Sequence, residues 1–128
     1  MVNYLLDTHT LLWLSENSSN LSNKALKELR NTENILSVSI ISFWELTIKV
    51  NIGKLKTKVS IKNLYNQTIK HDIQILQLKY NHINKYETLA LHHRDPFDRM
   101  IIAQAQIEKM TIMTKDKNFS EYNVSILW

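Results

Sequence analysis

Four acidic residues stand where an apolar pattern of the sequence ends or is interrupted: Asp7, Glu45, Asp98 and Asp116. A carboxylate directed towards a protein interior is unfavourable unless it is paired, hydrogen-bonded or bound to a metal. Carboxylates that converge also repel one another, so they favour a bound cation. Hard oxygen ligands of this kind suit Mg²⁺ or Mn²⁺, whereas zinc prefers histidine or cysteine. These acids are therefore candidate metal ligands and catalytic residues.

The chemistry that such a site supports is hydrolysis of a phosphodiester. Divalent ions held by carboxylates orient the phosphate, lower the pKa of a bound water and stabilise the leaving oxygen. Basic residues flank two of the acids along the chain, and we expect them to hold phosphates at the rim of the site; they are Arg94, Arg99, Lys115 and Lys117. The chemistry that these residues imply is therefore metal-assisted hydrolysis of a phosphodiester.

The helix that carries Asp98 is the most clearly marked element. Asp95 followed by Pro96 is typical of an N-cap with proline at the first helical position, so Asp98 falls at the third. Three apolar residues, Ile101, Ile102 and Ala105, share its face of the helix. The helix should end near Met110, and its core-facing stripe should begin with a carboxylate.

Glu45 occupies a comparable place in an earlier helix. This helix should begin at Ser39 or Ser42 and end near Ile52, before the only glycine, Gly53, at a C′ position that favours a left-handed conformation. Isoleucines at positions 41, 48 and 52 share the face of Glu45. We therefore expect Glu45 to point inward.

Short apolar runs alternate with helical patterns along the rest of the chain. The predicted strands are Val2–Leu6, Ile35–Val38, Ile73–Leu78, Thr111–Thr114 and Val124–Leu127, and the other predicted helices are Thr8–Glu16, one opened by Ser22, Ser60–His71 and Tyr80–Leu89. This alternation favours an α/β fold of three layers, a central and mainly parallel sheet with helices on both faces. Sites in such sheets form outside the carboxyl ends of the strands.

Composition limits the class of protein. A chain of 128 residues that is 44% hydrophobic and 22% charged is long enough for one core and too short for two, so residues 1–128 are predicted to form a single domain. The net charge of +4 favours polyanionic partners. Cysteine is absent, which excludes disulfides and thiolate metal sites. With no basic leader and no membrane-length apolar run, we expect a cytoplasmic protein without a membrane anchor.

At the level of motifs, the chain resembles a PIN domain, and most nearly the VapC-type toxins of bacterial toxin–antitoxin pairs. The motifs are Leu5-Leu6-Asp7-Thr8, Ser42-Phe43-Trp44-Glu45-Leu46, Gly53-Lys54-Leu55, the segment from His92 to Ala105, and Thr114-Lys115-Asp116. The similarity spans nearly the whole chain and is weakest between Lys56 and Tyr80.

The resemblance implies a PIN-like fold and an endoribonuclease that depends on Mg²⁺ or Mn²⁺. It also implies a cognate antitoxin protein that masks the activity, commonly a homodimer, and RNA as the substrate. By motif match, the acidic quartet of the family falls on Asp7, Glu45, Asp98 and Asp116, and none of the four is substituted.

Each of these acids also has a purely structural interpretation. Asp7 would serve only as the N-cap of the following helix, and Glu45 would pair with Lys49 on a solvated face. Asp98 would interact with the helix dipole, and Asp116 would belong to a charged turn. Any one of these interpretations is reasonable alone, but four acids in family order favour the functional one.

Supporting roles are assigned to three further residues. Thr8 and Thr114 are candidates to orient Asp7 and Asp116 or metal-bound water, although exposed turn threonines are common. Asp95 is assigned to the N-cap, with contact to a second metal ion as the lesser alternative.

Other conspicuous residues receive structural interpretations. The histidines at positions 9, 92 and 93 are poorly spaced as a ligand set and are expected at the surface or behind the metal ligands. The lysines at 54, 56, 58 and 62 are expected on a solvated face, and the tryptophans at 13, 44 and 128 in the core or a dimer interface.

Two alternatives to a nuclease follow from the sequence. A haloacid-dehalogenase-like phosphatase also carries an Asp after its first strand, but it needs a second acid where this chain has His9. A non-catalytic RNA- or protein-binding module that keeps the fold is the remaining alternative. Metal-dependent hydrolysis of RNA distinguishes the enzyme from the module.

Overall fold

The computed structural model describes all residues from 1 to 128. Five strands alternate with helices: β1 (Asn3–Leu6), α1 (Thr8–Ser15), α2 (Asn23–Arg30), β2 (Ile35–Ser39), α3 (Ile40–Asn51), α4 (Ile61–Lys70), β3 (Gln74–Leu76), α5 (Tyr80–Thr88), α6 (Pro96–Glu108), β4 (Thr111–Met113), a 3₁₀ helix (Lys117–Glu121) and β5 (Ile126–Leu127). The predicted strands and helices are confirmed, with shifts of a few residues at their ends. None of the helices is long and apolar enough to cross a membrane.

The strands form one sheet in the order β3-β2-β1-β4-β5, and every neighbouring pair is parallel. β1 is central and pairs with both β2 and β4, so that Leu6 lies opposite Val38 on one side and Met113 on the other. All five strands therefore end at the same edge of the sheet.

Helices cover both faces of the sheet, as the three-layer prediction requires. Tyr4 and Leu6 of β1 pack into a cluster with residues of α1, α2, α3 and α4, whereas the intervening Leu5 packs into a second cluster with α6 and the 3₁₀ helix. Alternate residues of a strand point to opposite faces, which explains this division. The α/β fold with helices on both faces of a parallel sheet is confirmed.

The ends of two helices follow the predicted rules. Asp95 caps α6, with Pro96 at its first position. Gly53 lies just beyond the end of α3 with φ of +75°, a conformation that glycine adopts without the penalty that a side chain would bring.

The predicted apolar stripe of α3 is correct only in part. Ile41 is buried and Ile48 is half-buried, but Ile52 is 59% exposed and Val50 is 37% exposed. The last turn of α3 therefore leaves the core, and the inward orientation of Glu45 does not depend on Ile52.

Because α6 packs on the sheet, we expect substitutions of a buried and of an exposed isoleucine to change the free energy of unfolding by different amounts. Ile101 is fully buried against the sheet, so Ile101→Ala should lower the free energy of unfolding by about 2–5 kcal/mol. Ile83 lies exposed on α5, so the matched control Ile83→Ala should change it by less than about 0.5 kcal/mol. Chemical denaturation measures both, and equal losses would contradict the packing of α6 described above.

Candidate active site

The carboxyl ends of three neighbouring strands position the acidic residues. Asp7 directly follows β1, and Asp116 lies just beyond β4, the parallel neighbour of β1. Glu45 lies on α3, which begins immediately after β2, the other neighbour of β1. Asp98 lies in the first turn of α6. The topology therefore directs all four side chains towards one edge of the sheet.

Asp7 is buried between β1 and α1, and both of its carboxylate oxygens accept hydrogen bonds. The backbone N–H of Thr10 donates to Oδ1 over 2.8 Å, which makes Asp7 the N-cap of α1. The hydroxyl of Thr114 donates to Oδ2 over 2.6 Å. Burial raises the pKa of Asp7, although the bonds from Thr10 and Thr114 oppose the rise. Asp7 is thus an N-cap and also a member of the acidic edge.

Glu45 is only 2% exposed, and both of its oxygens are also engaged. The hydroxyl of Thr8 donates to Oε1 over 2.6 Å, and Lys49 Nζ lies 2.8 Å from Oε2. The pair with Lys49 therefore forms, but its glutamate end is buried, so the solvated-face interpretation is wrong.

Lys49 is a cation within the acidic edge. Burial acts to lower its pKa, but the hydrogen bond and charge of Glu45, with the charges of Asp95 and Asp98, raise the pKa of Lys49 overall. Its side chain remains 35% exposed, which leaves the ammonium group in reach of solvent.

The N-cap of α6 places Asp98 at the edge of the site. Oδ1 of Asp95 accepts hydrogen bonds from the backbone N–H groups of Phe97, over 2.8 Å, and of Asp98, over 3.2 Å. The stripe that follows Asp98 on the same face is buried, as predicted. The dipole interpretation of Asp98 is therefore incomplete, because its side chain also meets other acids.

The pKa of Asp98 is raised from its usual value near 3.8 to about 8. Burial is the largest cause, followed by the negative charges of Asp95, Glu45, Asp7 and Asp116. Burial alone raises the pKa of a carboxyl group, and nearby negative charges raise it further. The charges of four other acids therefore act on Asp98 in addition to its burial.

Asp116 is held at the start of the 3₁₀ helix. Its Oδ1 accepts a hydrogen bond of 2.9 Å from the backbone N–H of Asn118, and its own N–H donates to the hydroxyl of Thr114 over 3.0 Å. Thr114 therefore contacts both Asp7 and Asp116, while Thr8 contacts Glu45 rather than Asp7.

One histidine, His93, contacts both Asp98 and Asp116. Nε2 of His93 lies 3.1 Å from Oδ2 of Asp98 and 3.2 Å from Oδ2 of Asp116. One ligand atom from each of these three residues lies within 4.8 Å of the others, a spacing suited to a single metal ion. Asp7 and Glu45 are not members of this compact group and lie deeper in the protein.

His93 differs from the other two histidines considered with it. His9 and His92 are exposed, and neither makes a hydrogen bond to the four acids. The contact of His93 with Asp116 depends on the turn before α6, and no periodic pattern in the sequence marks that turn.

The donor set fits a hard divalent cation. It consists of carboxylate oxygens with one imidazole nearby and no thiolate, and oxygen ligands of this type suit Mg²⁺ or Mn²⁺. Because the pKa of Asp98 is near 8, its carboxyl group carries a proton at neutral pH. A divalent cation that bound to Asp98 would displace this proton. The acids that could hold such an ion are Asp7, Glu45, Asp98 and Asp116, of which Asp98 and Asp116 already lie within the compact group described above.

The predicted phosphate contacts divide into two groups. Arg94, Lys115 and Lys117 are exposed, as a rim contact requires. Arg99 is only 8% exposed, and its guanidinium donates to the hydroxyl of Tyr86 and the carbonyl of Leu89 while lying 4.4 Å from the centre of the Tyr86 ring. The prediction that Arg99 binds phosphate is therefore wrong, because its guanidinium is committed to α5.

An exposed aromatic pair lies beside two of the acids. Trp44, next to Glu45 in the sequence, is 60% exposed, and its ring meets the edge of Phe97, next to Asp98, with 5.3 Å between ring centres. A core position is excluded for Trp44, whereas Trp13 and Trp128 are half-buried and pack against each other.

A family model described as PIN domain matches residues 4–124. A comparison with curated proteins gives no match.

Solved structures similar to this chain come from several bacteria. VapBC2 from Rickettsia felis, bound to a DNA fragment from its promoter, matches with 18% identity over 98% of each chain and a TM-score of 0.73. VapBC-1 from nontypeable Haemophilus influenzae matches with 20% identity over 98% of this chain and 97% of that chain, with a TM-score of 0.71. DNA-bound VapBC from Salmonella typhimurium matches with 16% identity over 99% of this chain and 98% of that chain, with a TM-score of 0.72. At these identities the likeness establishes the fold.

The raised pKa of Asp98 predicts how stability depends on pH when metal is chelated. The folded protein keeps a proton on Asp98 up to about pH 8, whereas the unfolded chain releases it near pH 3.8, so folding is opposed increasingly between these values. Asp98→Asn removes this group and should therefore gain stability relative to the wild type as the pH rises from 4 to 8. The difference should reach a few kcal/mol, since one pKa unit corresponds to about 1.4 kcal/mol.

Urea denaturation in EDTA at several pH values measures this difference. Glu33→Gln is the matched control, because Glu33 is exposed and lies just before β2, at the opposite edge of the sheet from the four acids. A constant difference between Asp98→Asn and the wild type from pH 4 to pH 8 would contradict the prediction.

Proposed function

The chain belongs to the PIN domain family, and from this we propose that it is a divalent-metal-dependent endoribonuclease, the toxin of a toxin–antitoxin pair. The observation that carries the proposal is the grouping of acids around Asp98: the charges of four other carboxyl groups act on it, and its ligand atom lies within 4.8 Å of those of Asp116 and His93. Structural needs alone do not explain such a convergence, because each added negative charge makes the ionised form of Asp98 less favourable. A site that binds a divalent cation and a phosphate needs this arrangement.

In the proposed reaction, Asp7, Glu45, Asp98 and Asp116 would bind the metal ion. Neighbouring residues would keep the carboxylates of these acids in position. Bound Mg²⁺ or Mn²⁺ would supply Lewis acidity that lowers the pKa of a water and stabilises the leaving oxygen. Thr114 and the N–H of Thr10 hold Asp7, while Thr8 and Lys49 hold Glu45.

RNA binding is proposed for the cations that remain at the surface. Lys115 and Lys117 lie on either side of Asp116, and Arg94 precedes Asp95, so each is near the acidic edge in sequence and exposed in the structure. Contacts with phosphate from such residues position a strand without reading its sequence. These three side chains would therefore not select a particular RNA sequence, and such selection would need other surfaces of the protein.

An antitoxin partner is proposed from the nature of the structural neighbours. VapBC complexes from three organisms share this fold, and a further neighbour is described as a toxin–antitoxin complex from Klebsiella pneumoniae. We propose that a cognate antitoxin covers the acidic edge with an apolar segment and a basic side chain. A homodimer is also proposed, and two exposed residues, Trp44 on α3 and Ile52 just after it, are candidates for its interface.

Cleavage of RNA by the purified protein tests the enzymatic part of the proposal. Wild type should cut single-stranded RNA with Mg²⁺ or Mn²⁺ and stop when EDTA is added. Asp98→Asn should lose activity by on the order of 100-fold or more, because charge stabilisation by a catalytic metal is worth several kcal/mol. Glu33→Gln should retain the wild-type rate, and a gel-based assay with labelled RNA measures all three proteins.

The same assay identifies the alternative. If wild type and Asp98→Asn bind RNA equally and neither cuts it with any divalent ion, the protein is a non-catalytic binding module.

Expression in bacteria tests the toxin part separately. Wild type should arrest growth and degrade cellular RNA, whereas Asp98→Asn at the same protein level should do neither. Co-expression of a small reading frame adjacent to the gene should restore growth. Harmless expression of an enzyme that is active in vitro, with no such reading frame, would overturn the toxin assignment and leave the nuclease assignment standing.

A further inference from the structure

His93 connects two parts of the site that arise from different elements. Its Nε2 atom lies 3.1 Å from a carboxylate oxygen of Asp98, in α6, and 3.2 Å from one of Asp116, beyond β4. The side chain is mostly buried. One ring atom therefore contacts two carboxylates that belong to different elements of the fold.

The imidazole ring is oriented by contacts other than those with the acids. The backbone N–H of His93 donates to the hydroxyl of Tyr122 over 2.8 Å, and this hydroxyl donates to the carbonyl of Ala90 over 2.7 Å. The ring meets that of Phe119 nearly perpendicularly, with 5.8 Å between ring centres. Phe119 and Tyr122 are both buried. The position of Nε2 is therefore determined by packing against the 3₁₀ helix and the residue after it.

The second ring nitrogen indicates which tautomer His93 adopts. The backbone N–H of Asp95 donates to Nδ1 over 3.3 Å, so Nδ1 is the acceptor and the proton of the neutral ring lies on Nε2. Nε2–H then donates to the two carboxylates. A histidine nitrogen that binds a metal carries no proton, and its other nitrogen normally donates to an acceptor. The N–H of Asp95 is not an acceptor, so this geometry favours a donor over a ligand.

We propose that His93 is a positioning residue, which holds the carboxylates of Asp98 and Asp116 at the spacing that one divalent cation requires. This inference rests on the proposed function, because it gives His93 a role only where these acids bind metal. His93 neither binds the ion nor transfers a proton. Loss of such hydrogen bonds behind the ligands typically weakens metal binding by about 10–100-fold.

Binding of Mn²⁺ to the full chain tests the proposal without reference to RNA cleavage. The electron paramagnetic resonance signal of free Mn²⁺ gives the affinity of wild type, His93→Leu, His93→Gln and the control His71→Leu. His93→Leu should bind Mn²⁺ about 10–100-fold more weakly. His93→Gln should stay within a few-fold of the wild type, because its amide can donate from nearly the same place. His71→Leu, which alters an exposed histidine between α4 and β3, should match the wild type.

Pulsed electron paramagnetic resonance distinguishes positioning from ligation. The bound Mn²⁺ of the wild type should show no directly coordinated nitrogen. Coordinated nitrogen that disappears in His93→Leu would identify His93 as a ligand and overturn the proposal. If His93→Leu does not fold, as judged by thermal unfolding, His93→Gln decides: wild-type affinity supports the proposal, and a tenfold loss overturns it.

The outcomes also separate this inference from the proposed function. Equal Mn²⁺ affinities for wild type and folded His93→Leu would overturn the role of His93 and leave the metal-dependent nuclease intact. A wild type that binds neither Mn²⁺ nor Mg²⁺ would overturn the proposed function and this inference with it.

Discussion

Repulsion among buried carboxylates is the constraint around which the edge of the sheet is built. An uncompensated charge in the interior costs several kcal/mol, so each acid must find donors or keep its proton. Asp7 and Glu45 find such donors. Both oxygens of Asp7 accept hydrogen bonds, whereas Glu45 accepts one from Thr8 and forms an ion pair with Lys49. Asp98 does not find enough donors, and its pKa rises to about 8. Ionisation is thus least favourable at one residue near the surface, Asp98.

This unequal distribution divides the site into an inner and an outer pair of acids. In the inner pair, both oxygens of each carboxylate are engaged. The N–H of Thr10 and the hydroxyl of Thr114 hold Asp7, and the hydroxyl of Thr8 and Lys49 hold Glu45. The outer pair, Asp98 and Asp116, shares a single imidazole and is more exposed. A cation that bound at this edge from solvent would meet the outer pair first. Sites that hold like charges together sacrifice stability for function, and here that sacrifice falls where a ligand can relieve it.

How much of this arrangement the sequence reveals depends on whether the signal is local. Asp98 was predictable because an N-cap, a proline and a helical stripe lie within one stretch of chain. The inward orientation of Glu45 was also predictable. The exposure of Ile52 shows, however, that the buried face of α3 ends earlier than the pattern of isoleucines predicts. The contact of His93 with Asp116 and the burial of Arg99 were not, because both depend on how distant elements pack. Arg99 follows Asp98 directly, yet the helix turns its side chain towards α5 instead of the rim.

The register of the sheet links these local signals to the site. Leu6 lies opposite Met113, so the next residues, Asp7 and Thr114, are neighbours and the threonine hydroxyl reaches the carboxylate. A slip of one residue would turn the side chains of a strand to the opposite face, and the alternation of Tyr4, Leu5 and Leu6 between two apolar clusters opposes such a slip. Burial of leucine on both faces therefore does more than stabilise β1. It determines which hydroxyl meets Asp7, and through Thr114 it also determines the position of Asp116.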